Sequence, residues 1–136
     1  MTKKISTLLA IAWMIFIFIM SSFNSIESSS QSGFIVNIIS NILNINNTEI
    51  LSLIIRKLAH FTEYLILGIL VSNAIHIHNK KIYLAIIICI IYAISDEIHQ
   101  LFVPGRSCQI TDICIDTLGT LTGIFLLNLK FKHKGD

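Results

Sequence analysis

The chain has 136 residues, of which 54% are hydrophobic and only 13% charged, with a formal net charge of +2. A soluble domain carries about 25% charged residues, so the composition argues against an ordinary soluble domain and for one small integral membrane domain over residues 1–136. The lysines sit at segment ends rather than in one patch, and so small a charge needs no nucleic-acid partner.

Two lysines, Lys3 and Lys4, precede an apolar run from Ile5 to Met20, broken only by Ser6 and Thr7. Extended to Phe23, it reaches the roughly 20 residues a spanning helix needs. A cleaved signal peptide is the alternative reading, but the run is long for one and no clear A-x-A site follows. Polar loops follow at 24–33 and 44–47. Between them Phe34, Ile35, Ile38, Ile39 and Ile42 recur at helical spacing. Asn37, Ser40, Asn41 and Asn44 take the opposite face, which predicts a short amphipathic helix on the membrane surface. Its uncharged polar face would serve equally to cover a polar site.

Thr48 and Glu49 mark the next helix start. A helix from Thr48 to His76 would be roughly 43 Å long, against a hydrocarbon core of about 30 Å. It carries the stretch RKLAHFTEY, Arg56 to Tyr64. Arg56, His60 and Glu63 share one stripe, Tyr64 borders it, and Lys57 lies about 100° away. A charged stripe on a lipid-soluble helix usually faces a protein interior or a watery pocket. His76, His78 and two lysines then form a turn, where the cations disfavour a bound metal.

Ile82 to Ile94 is the third apolar run, and it passes into SDEIHQLFVPGRS, residues 95–107. There Tyr92, Asp96, His99 and Gln100 share a helix face and Glu97 points elsewhere. Pro104 and Gly105 end the helix. A fourth span, Ile110 to about Leu129, carries Asp112 and Asp116 one turn apart, then Gly119 and Gly123, a spacing that lets another helix approach closely. Cys89, Cys108 and Cys114 form no C-x-x-C pair, so neither a disulfide framework nor a thiolate zinc site is expected. The predicted fold is all-α: a four-helix membrane bundle with a short amphipathic helix in the first external loop.

Four spans put seven of the ten basic residues on one side: Lys3, Lys4, Lys80, Lys81, Lys130, Lys132 and Lys134. The positive-inside rule places both termini in the cytoplasm. Topology alone then brings Arg56–Tyr64, Asp96–Arg106 and Asp112–Asp116 to similar depth near the outer face. With neutral histidines the cluster holds three cations against five carboxylates, a net of −2. An ion-paired structural core, a ligand or catalytic site, and a divalent-metal site all fit such a cluster. For a metal, His60 with Glu63 and Asp96 with His99 have suitable helical spacings. The three cations argue against it and suit a phosphate or carboxylate ligand. No metal or other cofactor is expected.

The motifs RKLAHFTEYLILG, SDEIHQLFVPGRS and DICIDTLG, in this order and spacing, resemble the VanZ-like family of small bacterial membrane proteins. The resemblance covers roughly Ile5 to Leu127 and implies a multi-span protein of the bacterial cell envelope. The family's named member is associated with resistance to teicoplanin, a lipid-tailed glycopeptide. The resemblance supplies no agreed reaction. It marks the same twelve polar positions that topology brings to one depth. His60, Glu63, Asp96, His99 and Asp116 are the acid–base candidates. Arg56, Lys57, Tyr64, Glu97, Gln100, Arg106 and Asp112 are the ligand-binding candidates. The expected function is binding of a membrane lipid or of a lipid-linked or anionic envelope ligand. The alternative is an enzyme acting on such a lipid by acid–base chemistry. No nucleophile elbow, P-loop or zinc-protease motif is present to name a reaction. A transporter is disfavoured by size.

Overall fold

A computed structural model describes residues 3–23, 33–34, 36–42, 47–78 and 81–132. Residues 1–2, 24–32, 35, 43–46, 79–80 and 133–136, and with them the expectations for Ile35, Asn44, Lys80 and Lys134, lie outside the described residues. The fold is all-helical, with no strand among the described residues. Its elements are α1 (Lys3–Ser21), the short α2 (36–42), α3 (Thr48–Ile77), α4 (Tyr83–Gln100) and α5 (Ile110–Lys132).

The four longer helices are each long and apolar enough to cross a membrane. Their burial pattern is inverted relative to a soluble protein. Ile15, Leu58, Ile91, Leu118 and Phe125 are exposed, while Asp96, Glu97, Gln100, Asp112 and Asp116 are buried. Lipid is as apolar as leucine, so apolar side chains lose nothing outside, and the polar groups turn toward protein. In α2, Ile38 and Ile42 are exposed and Val36 is buried; Phe34, just before the helix, is exposed too. Asn37 and Asn41 are exposed as well, so this short helix lies on the surface of the bundle with Val36 as its buried contact.

α3 begins where Thr48 predicts, although its cap is the preceding residue: Asn47 Oδ1 accepts from the Ile50 backbone N–H at 3.2 Å. α4 stops at Gln100, four residues before Pro104. Its end tightens into i→i+3 bonds, Phe102 N to His99 O at 2.9 Å and Val103 N to Gln100 O at 3.1 Å. Gly105 then takes a positive φ of 74°, which a residue with a Cβ adopts only under strain.

α3 is the hub and touches all three other spanning helices, whereas α1 and α5 do not meet. α1 runs antiparallel to α3: Asn73 donates to Ser6 Oγ at 3.2 Å near one end, and Trp13 Nε1 donates to Glu63 O at 2.9 Å further along. α1 and α4 run parallel, with Tyr92 OH on Met14 O at 2.5 Å and the His99 ring against Phe18. Ala85, Cys89 and Ala93, at successive turns of α4, are fully buried and let that helix close on the core around Tyr64, Leu67 and Val71.

The tightest seam is α3 on α5. A Cβ built on Gly119 would strike the Phe61 carbonyl oxygen, and one on Gly123 the Leu65 carbonyl. Both neighbours are backbone atoms one helical turn apart, so the two helices run parallel in fixed register. This is the close approach that the G-T-L-T-G spacing predicts.

Candidate functional site

The alternating directions of the spans bring the start of α3, the end of α4 and the start of α5 to one end of the bundle. Contacts between the motifs confirm it. Lys57 Nζ lies 2.7 Å from Asp112 Oδ1, and Arg56 Nη2 lies 3.9 Å from Asp112 Oδ2. The Gln109 backbone N–H donates to Glu97 Oε2 at 2.8 Å. Asp112 sits in the first turn of α5, where the free N–H groups favour a carboxylate.

The cations are spent at the mouth of the cluster. Arg56 and Lys57 converge on one carboxylate, and their side chains remain 34% and 36% exposed above a buried Asp112. Arg106 instead reaches back to α1, donating from Nε to Phe23 O at 3.1 Å and from Nη1 to Gln100 Oε1 at 3.4 Å. Burial, and then the neighbouring Arg56 charge, push its guanidinium below the ordinary arginine range.

Beneath this rim lie His60, Glu97 and Asp116, all buried and contributed by three different helices. One potential ligand atom from each lies within 4.8 Å of the others. His60 Nδ1 and Asp116 Oδ1 are 3.3 Å apart, within ion-pair range but not aligned as a hydrogen bond. Glu97 Oε1 and both Asp116 carboxylate oxygens lack a hydrogen-bond partner. So do Asp96 Oδ1 and the buried hydroxyls of Tyr64 and Thr120. Buried polar atoms are paired in the great majority of cases, and these exceptions are concentrated in one region.

The twelve sequence candidates do not all converge. Asp96 accepts from Gln100 Nε2 at 3.4 Å. Glu63 is half-buried, and its backbone carbonyl is the one held by Trp13. His99 turns to α1, with Nε2 3.1 Å from Ser22 Oγ and its ring against Phe18, outside the His60–Glu97–Asp116 group. Glu97, which periodicity sets apart from Asp96, is a member of that group. Gln109 and Thr120 were not singled out by the sequence. Thr120 falls one turn beyond Asp116 on the stripe of Asp112 and Asp116, and all three are buried, so the period carried that signal. Gln109 acts through its backbone and left none. At the opposite end a cavity of about 350 Å³ is lined by Lys3, Lys4, Thr7, Leu8, Ile11 and His78, none of them motif residues.

No curated protein and no solved structure matches the chain. A family model described as VanZ/LLP1 matches residues 6–131, a span that holds the RKLAHFTEY stretch, the SDEIHQ end of α4 and both aspartates of α5. This membrane bundle, with its buried acid–histidine cluster, therefore belongs to the VanZ/LLP1 family.

Proposed function

We propose that this protein is a multi-pass protein of the bacterial cell membrane whose polar end faces outward and binds the anionic head of a lipid or lipid-linked envelope ligand. The observation that carries this reading is the rim. Arg56 and Lys57 are held by Asp112 yet keep a third of their surface free. Two adjacent cations with spare donors suit a phosphate or carboxylate entering from the bilayer surface. The exposed apolar side chains Ile38 and Ile42 of α2, in the connection between α1 and α3, suit a ligand that arrives with acyl chains. A role in resistance to teicoplanin-type, lipid-tailed glycopeptides belongs to the same proposal.

The test is native mass spectrometry of the purified protein with anionic and zwitterionic lipids of identical acyl chains. The anionic lipid should bind at least about tenfold better, and Arg56→Ala with Lys57→Ala should erase the preference, a change of about 1.4 kcal/mol or more. Equal binding of the two lipids would sink the proposal.

A second reading, a membrane enzyme acting on an envelope lipid, is favoured by the 3.3 Å approach of His60 to Asp116, the spacing of a base and its orienting carboxylate. Comparing lipids of a deletion strain with those of the complemented strain separates the two. A lipid species restored by wild type but not by His60→Ala supports catalysis, whereas unchanged lipid chemistry supports binding alone.

Orientation is proposed from the lysine distribution, with both termini cytoplasmic. Cys108, in the half-buried turn before α5, should then react with a membrane-impermeant maleimide on intact cells, in variants retaining one cysteine each. Cys89, fully buried in the core, should not. Labelling of Cys108 only after lysis would invert the orientation and remove the external site.

A further inference from the structure

We propose that His60, Glu97 and Asp116 form a binding site for one divalent transition-metal ion, built between α3, α4 and α5. Among the described residues this is the one group of imidazole and carboxylate atoms that converges so, with one atom from each within 4.8 Å of the others. For metal–ligand distances of about 2.0–2.2 Å in a tetrahedral shell, ligand atoms lie roughly 3.4 Å apart, and His60 Nδ1 and Asp116 Oδ1 already stand at 3.3 Å. Small side-chain rotations therefore close the set.

The state of these atoms points to a ligand. Glu97 and Asp116 are both 0% exposed. Glu97 Oε1 and both Asp116 oxygens have no hydrogen-bond donor, and His60 Nδ1 has no aligned partner. Two carboxylates buried together are costly in their ionised form unless a cation joins them. Glu97 is also already oriented, because the Gln109 N–H holds its second oxygen at 2.8 Å, as a supporting shell does around a metal ligand.

Charge leads to the same ion. The cluster carries a net of −2 with neutral histidines, and its cations are engaged elsewhere. Arg56 and Lys57 lie on Asp112, and Arg106 lies on Phe23 O and Gln100. One divalent ion brings the cluster to neutrality. A single imidazole nitrogen with two carboxylate oxygens suits Mn²⁺, Fe²⁺ or Zn²⁺ rather than Cu⁺, which prefers sulfur, or Mg²⁺, which prefers an all-oxygen shell. Three protein ligands leave a coordination position open for water or a ligand oxygen.

The experiment uses the full chain in detergent, stripped with chelator and titrated with Co²⁺ alone. Wild type should saturate at about one equivalent, with visible d–d absorption that Zn²⁺ displaces. Glu97→Gln and Asp116→Asn should each weaken Co²⁺ binding by about 100-fold or more, while Glu63→Gln and His99→Ala stay within about twofold. A second measurement does not rely on those variants folding. In a protein carrying His76→Gln, His78→Gln, His99→Gln and His133→Gln, His60 is the only histidine. Spin-echo modulation from bound Mn²⁺ should then show imidazole nitrogen. Failure of wild type to bind Co²⁺, unchanged affinity in both carboxylate variants, or absence of the nitrogen signal would overturn the site. The probe is a metal without lipid, so this result is independent of whether an anionic ligand binds at the rim.

Discussion

Asp116→Asn should leave the protein folded and abundant while reducing complementation of a deletion strain to the empty-vector level. Asp116 is fully buried, and neither carboxylate oxygen accepts a hydrogen bond. Its one close charged partner, His60 Nδ1 at 3.3 Å, is out of line. Replacing the carboxylate with a neutral isostere removes a buried charge and sacrifices no aligned bond. In chelator-containing detergent the melting temperature should therefore equal or exceed that of wild type. Asp112→Asn should behave differently. It breaks the 2.7 Å contact with Lys57 and the longer one with Arg56. Both cations keep access to water, so the cost should be about 1–3 kcal/mol, with a partial loss of function. A fully active Asp116→Asn protein would defeat the functional assignment. One that is inactive because it fails to accumulate would return Asp116 to a structural role.

Gly123→Val and Gly119→Val should each separate α3 from α5 and destroy the site from a distance. The added Cβ meets the Leu65 or Phe61 carbonyl oxygen, and a backbone atom inside a helix cannot rotate away as a side chain can. Overpacking of this kind costs about 1–3 kcal/mol and occasionally more. The affected seam also sets the separation of His60 from Asp116, since His60 adjoins Phe61 and Asp116 lies three residues before Gly119. Thermal unfolding in detergent should show a clear drop for both variants. Gly33→Val is the control, because nothing lies within 4 Å of a Cβ at that position. Equal stability of Gly123→Val and Gly33→Val would show that the two helices can part without cost.

Much of this architecture is a one-dimensional property of the chain. Apolar runs such as Ile5–Met20 must be helical in lipid, because no water is available there to satisfy an open backbone. Helical periodicity then places Asp112, Asp116 and Thr120 on one stripe, and the Gly119–Gly123 spacing marks where a second helix can close in. Alternating span directions bring the three polar motifs to one end without further information. The sequence could not decide how each helix is rotated and raised against its neighbours. That is set by side-chain packing between residues far apart in sequence: the carbonyls of Phe61 and Leu65 against two glycines, and Ala85, Cys89 and Ala93 against the core. Those contacts turn Glu97 rather than His99 toward His60 and Asp116, and give Asp112 both rim cations. They also send Arg106 to the Phe23 carbonyl. A period of 3.6 residues fixes the angle of a side chain about its own helix axis, but the angle between two axes is a tertiary quantity.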